Sequence, residues 1–143
     1  MVEIRTKMVY EIFEMVDKAP AKQDKIDILK KYDSAVLRNI LVGLFDDAIE
    51  WNIPPTPPPY TPANESSVPS FLSKQLNQLV YFVKGNKGDN LLKIKREKMF
   101  INLLESIHPK DAIVVLNMVA KKSPAKGLTK AMVKEVFPSL IRK

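Results

Sequence analysis

The 143-residue chain contains no cysteine, one histidine, one tryptophan and only four glycines. Each scarcity removes a class of chemistry. Without cysteine there is no disulfide framework, thiolate nucleophile or thiolate metal site, a composition that suits an intracellular protein. His108 stands alone, so no His-x-x-x-His metal pair can form and no Ser/His/Asp or Cys/His set can be assembled around it. Placed before Pro109 at a helix start, it reads as a capping or packing residue. The segment GNKGDN at 85–90 has glycine and lysine but not the G-x-x-x-x-G-K-[ST] order, so it reads as a capped turn. No apolar run approaches the roughly 18 to 20 residues that span a bilayer. The opening MVEIRTKMVYEIFEM carries acids throughout and no apolar h-region, so no secretory signal is read there. A cytoplasmic protein with no membrane partner is expected.

Strand periodicity is scarce as well. LVYFV at 79–83 and AIVVL at 112–116 have strand-like composition, but each continues a helical pattern or lies between helix caps. What the chain does show is apolar residues three and four apart almost throughout. Ile4, Met8, Ile12 and Val16 give a helix over 3–18, ended by Ala19-Pro20. A second helix covers 22–32 around Ile26 and Leu29. Asp33 or Ser34 caps a third, with Leu37, Ile40, Leu41, Leu44 and Phe45 inside, closing near Trp51. Pro69 or Ser70 opens a fourth that runs to Gly85. Asp89 or Asn90 caps a fifth, whose Leu91, Leu92, Ile94, Met99, Ile101, Leu103, Leu104 and Ile107 are expected inside. Pro109 starts a sixth, and Thr129 caps a seventh that Pro138 ends. The expectation is one all-α domain over 1–143, an irregular bundle of about seven helices without internal repeats.

Proline, by contrast, is abundant in one place. IPPTPPPYTP at 53–62 has six prolines in ten positions. Its PxxP spacing suits an SH3-type ligand, and its position suits a crossover between helices three and four. At roughly 3.1 Å per residue in the polyproline form, ten residues can cross a small domain. The 53–69 crossover is the favoured reading, with Trp51 and Tyr60 pinning its ends.

Charge divides the chain unevenly. Met1 to Val83 carries 9 Lys and Arg against 11 Asp and Glu, whereas Lys84 to Lys143 carries 14 against 5. That asymmetry points to an anionic partner for the second part, phosphate backbones foremost, although lysines also keep small domains soluble. Asp46, Asp47 and Glu50 read as a solvated face, so no metal and no cofactor is expected.

The most specific stretch runs from Val114 to Ile141, VVLNMVAKKSPAKGLTKAMVKEVFPSLI. An apolar helix leads to a basic turn, Gly127, Thr129, a helix with Met132 and Val136, and the pair Phe137-Pro138. This order resembles the end of the N-terminal helical DNA-binding domain of ATP-dependent DNA ligases, especially those of T4-type phages. EIFEMVDKAPAKQDKIDILKKYDSAVLRNILVGLFDDAIEWNIP is similar to the opening of that domain. The K-x-D-G motif of the ligase catalytic domain does not occur, and Ser123-Pro124 replaces the charged and apolar residues usual in the turn. The resemblance implies a grip on duplex backbone without catalysis, in a host cytoplasm if the protein is of phage origin. Met1 and the basic end LIRK suit a complete protein, truncation being the alternative.

Independently of that resemblance, Gly127 lets backbone approach a phosphate, and Thr129 starts a helix whose free amides attract an anion. Lys121, Lys122, Lys126 and Lys130 surround the turn, with Lys84, Lys87 and Lys93 as a second group. The expected function is a non-catalytic, largely sequence-independent module binding double-stranded DNA. The alternative is an adaptor that offers its acidic half or the proline crossover to a replication or transcription protein.

Overall fold

Helices with an apolar stripe must bury it, and here the stripes of distant helices meet in a common core. The computed structural model describes residues 8–141. In it α1 (Val9–Lys18), α2 (Lys22–Lys31) and α3 (Ala35–Phe45) bury Ile12, Phe13, Val16, Leu29, Leu37, Ile40 and Leu41. The later helices are α4 (Leu76–Leu79), α5 (Lys93–Ser106), α6 (Pro109–Val119) and α7 (Lys130–Val136). Phe100, Leu104, Val115, Met118 and Val133 bring α5, α6 and α7 into the same core, where Phe82 meets Phe100 edge-on at 5.2 Å. The protein is all-α, with seven α-helices and no strand among the described residues. A lone antiparallel bridge pairs Trp51 with Val83.

Local chemistry sets several ends as the sequence implies. The Ser34 hydroxyl accepts from Leu37 N at 3.2 Å, and Thr129 Oγ1 accepts from Met132 N at 3.2 Å. Pro109 occupies the first turn of α6, and His108 Nδ1 accepts from Lys110 N at 3.1 Å while its ring stacks on Tyr10 at 4.4 Å. Asp111, only 3% exposed, sits in the first turn of α6 and accepts from Tyr10 N of α1 at 2.9 Å. One carboxyl thus serves two helix starts. Burial pushes its pKa upward, against the Tyr10 amide that favours the ionised form.

Other boundaries differ from expectation, and each difference has a long-range or side-chain cause. Residues 3–7 of the first expected helix lie outside the described residues. Helix α3 stops at Phe45 rather than near Trp51, because the Asp46 carboxylate turns back to accept from Ala48 N at 2.9 Å. The fourth helix, expected to run to Gly85, shortens to α4 between 3-10 turns at Leu72–Lys74 and Val80–Phe82. There Phe82 O accepts from Asn52 N and Tyr81 O from Asn52 Nδ2, at 2.8 and 3.2 Å, so these carbonyls are taken by the 50–52 segment. Helix α5 begins at Lys93 instead of being capped by Asp89 or Asn90, which lie in a 3-10 turn, Lys87–Asn90. Leu92 and Ile94, expected inside, are exposed.

The proline-rich segment is a crossover. Leaving α3, it runs beside α5, where Thr61 N donates to Glu105 Oε2 at 2.7 Å and Ser70 N to Ser106 O at 2.7 Å. At its start the Trp51 indole donates to Gly43 O at 3.1 Å, and Ile53 is buried. Tyr60 is half-buried against the core.

Candidate nucleic-acid interface

Helix α6 ends in a hydrogen-bonding pattern that wants glycine. Lys122 N donates to Asn117 O at 2.9 Å and Lys121 N to Met118 O at 3.1 Å, the paired bonds of a Schellman motif. The residue in the left-handed position is Lys121, at φ 58°. A side chain there costs about 1 kcal/mol relative to glycine. Its ammonium donates to Asp46 O at the end of α3, at 2.9 Å, so it caps that helix. Desolvation lowers the Lys121 pKa, while the charges of Asp47 and Asp46 oppose the shift.

The turn that follows does bring Lys121, Lys122, Lys126, Gly127, Thr129 and Lys130 together, but with company. Lys130 Nζ pairs with Asp47 Oδ2 at 2.8 Å, which holds the Asp47 carboxyl below its ordinary value. Lys126 N donates to Asp17 Oδ1 at 2.8 Å. Gly127 has φ 75°, so the turn needs it. Gly127 is exposed, with the Lys25 side chain of α2 beside it: a Cβ on Gly127 would lie 3.0 Å from Lys25 Cε. The Lys25 ammonium in turn donates to Val16 O at 2.6 Å. Ser123 Oγ lies 2.9 and 2.8 Å from the Ala125 and Leu128 carbonyls, which ties Ser123 into the turn. The expected ring of four free lysines therefore reduces to two. Lys122 and Lys126 are exposed and make no ion pair among the described residues.

The second group is built in the opposite manner, with its backbone fixed and with Lys84 and Lys93 exposed. Gly88 is required, because a Cβ there would fall 1.6 Å from Tyr81 O. Asp89 accepts from Gly85 N at 2.6 Å and from Asn52 Nδ2 at 3.3 Å, and these bonds lower its pKa. Arg96 reaches back to Gly88 O at 3.2 Å. With Asp89 so engaged, α5 starts at Lys93, its N-cap Leu92 giving no side-chain cap, with no acid in its first turn. Helix starts favour acids, because their unpaired amides and aligned dipoles are positive. Here Lys93, Lys95 and Arg96 crowd that end instead, with Lys98 one residue beyond Glu97. Lys84, Lys93, Lys95 and Lys98 are exposed, with no ion pair among the described residues. The Lys87 side chain lies outside the described residues.

The loop from Asp46 to Asn52 lies between the two groups. It receives Lys121 and Lys130 on one side, and Lys84 N on the other, where Glu50 O accepts at 2.8 Å. In the sequence Lys95 and Lys98 look like the polar face of an ordinary helix. The missing first-turn acid is the signal that would have singled them out. Lys25 carries no local signal, since only the tertiary fold brings α2 to Gly127. Among the described residues no group of three or more His, Asp or Glu could hold a metal ion. No helix among them is long and apolar enough to cross a membrane.

Comparison with known proteins places residues 12–124 within a family of unknown function, DUF6433. No curated protein matches the chain. The matched span stops at Pro124, before Gly127, Thr129 and α7.

Proposed function

We propose that this chain, which belongs to the DUF6433 family of unknown function, is a non-catalytic module that holds duplex DNA by its sugar–phosphate backbone. The observation that carries the reading is the start of α5. Three cations occupy the turn where acids are favoured, the amides of that turn have no side-chain cap, and the lysines are exposed. Such an arrangement raises the energy of the free protein and is relieved by an anion. Lys84, Lys93, Lys95 and Lys98 form the main contact, and Lys122 and Lys126 the second. Lys121 and Lys130 act mainly inside the protein. Backbone contacts of this kind position a protein on DNA without reading sequence. The resemblance to ligase DNA-binding domains points to the same class of ligand, and to a phage protein working in its host's cytoplasm.

Binding through ammonium groups releases condensed counterions, so for each tenfold rise in salt affinity falls by about 0.9 logarithmic units per phosphate contact. Gel-shift titration of nicked, intact and single-stranded DNA at two salt concentrations tests this. Affinity that drops steeply with salt, on unrelated sequences alike, is expected. Weak binding with a flat salt response rejects the proposal.

A further inference from the structure

Phosphate contacts leave one feature of α5 without a role. Leu92 is 75% exposed and Ile94 is 67% exposed, in the midst of the lysines. Ammonium groups suffice for a sugar–phosphate backbone, and large aliphatic side chains add nothing to such contacts. On α5, Ile94, Glu97, Lys98 and Ile101 fall three and four residues apart, so they share one strip of the helix. That strip continues into a cleft of about 450 Å³ between α5 and the crossover, walled by Pro54, Pro57, Pro58, Phe100 and Ile101. Fixed φ angles make the proline wall stiff, so little order is lost when something fills it.

We infer that this cleft and the exposed strip beside it dock an acidic segment of a partner protein that carries a bulky apolar side chain. The apolar side chain occupies the cleft, and its neighbours cover Leu92 and Ile94. Carboxylates of the segment meet Lys93, Lys95 and Lys98, which have no ion pair among the described residues. Glu97 lines the cleft, so the partner's acids lie to either side of it, towards Lys93 and Lys98. A concave apolar wall favours a peptide anchor over a lipid surface, which is met by a convex helix face. This docking does not depend on duplex binding. Because Lys93, Lys95 and Lys98 would serve both ligands, the two compete.

The test uses the full chain and a fluorescein-labelled peptide rich in Glu and Asp around a central Leu-Phe pair. A charge-reversed peptide and one with Ala for Leu and Phe serve as controls, and labelled duplex is titrated in parallel. The acidic apolar peptide should bind, unlabelled duplex should displace it, and each control should bind about tenfold more weakly. Exchange of exposed side chains for residues that do not cap a helix spares both the fold and the uncapped start of α5, so Leu92→Gln with Ile94→Gln should weaken the peptide about tenfold and leave duplex binding unchanged. No binding of the acidic peptide overturns the inference. So does equal binding of the peptide lacking its apolar pair, or of the doubly substituted protein. Should duplex fail to bind while the peptide does, the DNA reading falls and this one stands.

Discussion

The turn between α6 and α7 and the stretch leading into α5 are alike in lysine content and opposite in its use. In the first, ammonium groups serve the fold: Lys121 holds the end of α3, Lys130 pairs with Asp47, and Lys25 donates to Val16 O beside Gly127. In the second, the fold is held by backbone and by Gly88, Asp89 and Arg96, while Lys84, Lys93, Lys95 and Lys98 are exposed. A count of positive charge treats the two as equals. The available charge is what remains after internal partners have been subtracted, and only the α5 stretch keeps most of its own.

Substitution of the two glycines gives the largest separation between the regions. Gly88→Ala places a Cβ against a backbone carbonyl that cannot move aside, and should lower stability by about 3 kcal/mol or more. Gly127→Ala meets the flexible end of Lys25 and a left-handed φ, and should lower it by about 1 kcal/mol. Urea denaturation of both variants checks the ranking, and equal losses would erase the contrast. Smaller again is the pair at position 121. Lys121→Ala keeps the left-handed strain and loses the bond to Asp46 O, whereas Lys121→Gly loses the bond and relieves the strain. The glycine variant should be the more stable by about 1 kcal/mol, as read from the same denaturation curves.

The smallest effect lies away from both regions, and it has a definite sign. The folded pKa of Asp111 is raised above that of an ordinary aspartate, chiefly by burial. Between the unfolded and folded pKa the native state holds more protons, so this group's contribution to stability falls as pH rises through that window. Asp111→Asn keeps an acceptor for Tyr10 N and removes the fall. Thermal melts across the acid range should therefore be flatter for the variant, and an unchanged slope would assign the pH dependence elsewhere.

Much of the fold is legible in the sequence because its signals are local. Ser34, Pro109 and Thr129 announce their helices through bonds that reach only two or three residues. Where the reading fails, the decisive partner is distant. Asp89 looks like the cap of α5, but Gly85 and Asn52 have taken its carboxylate, the latter from 37 residues away. The fourth helix breaks because the 50–52 segment uses the carbonyls of Tyr81 and Phe82. Lys121 and Lys130 look free in sequence, yet their partners lie 75 and 83 residues earlier. Leu92 and Ile94 fit an apolar helical pattern, but a helix that starts at Lys93 turns them outward.

Charge availability can be measured directly by comparing two variants for duplex binding across a range of salt. One carries Lys93→Ala, Lys95→Ala and Lys98→Ala, and the other Lys121→Ala and Lys130→Ala, each first shown by its melting curve to be folded. The first should bind far more weakly and lose about 0.9 from the salt slope for each lysine removed. The second should stay within about twofold of the unaltered protein, since its ammonium groups are engaged internally. The reverse order would show that the α6–α7 turn is the true contact and contradict the account.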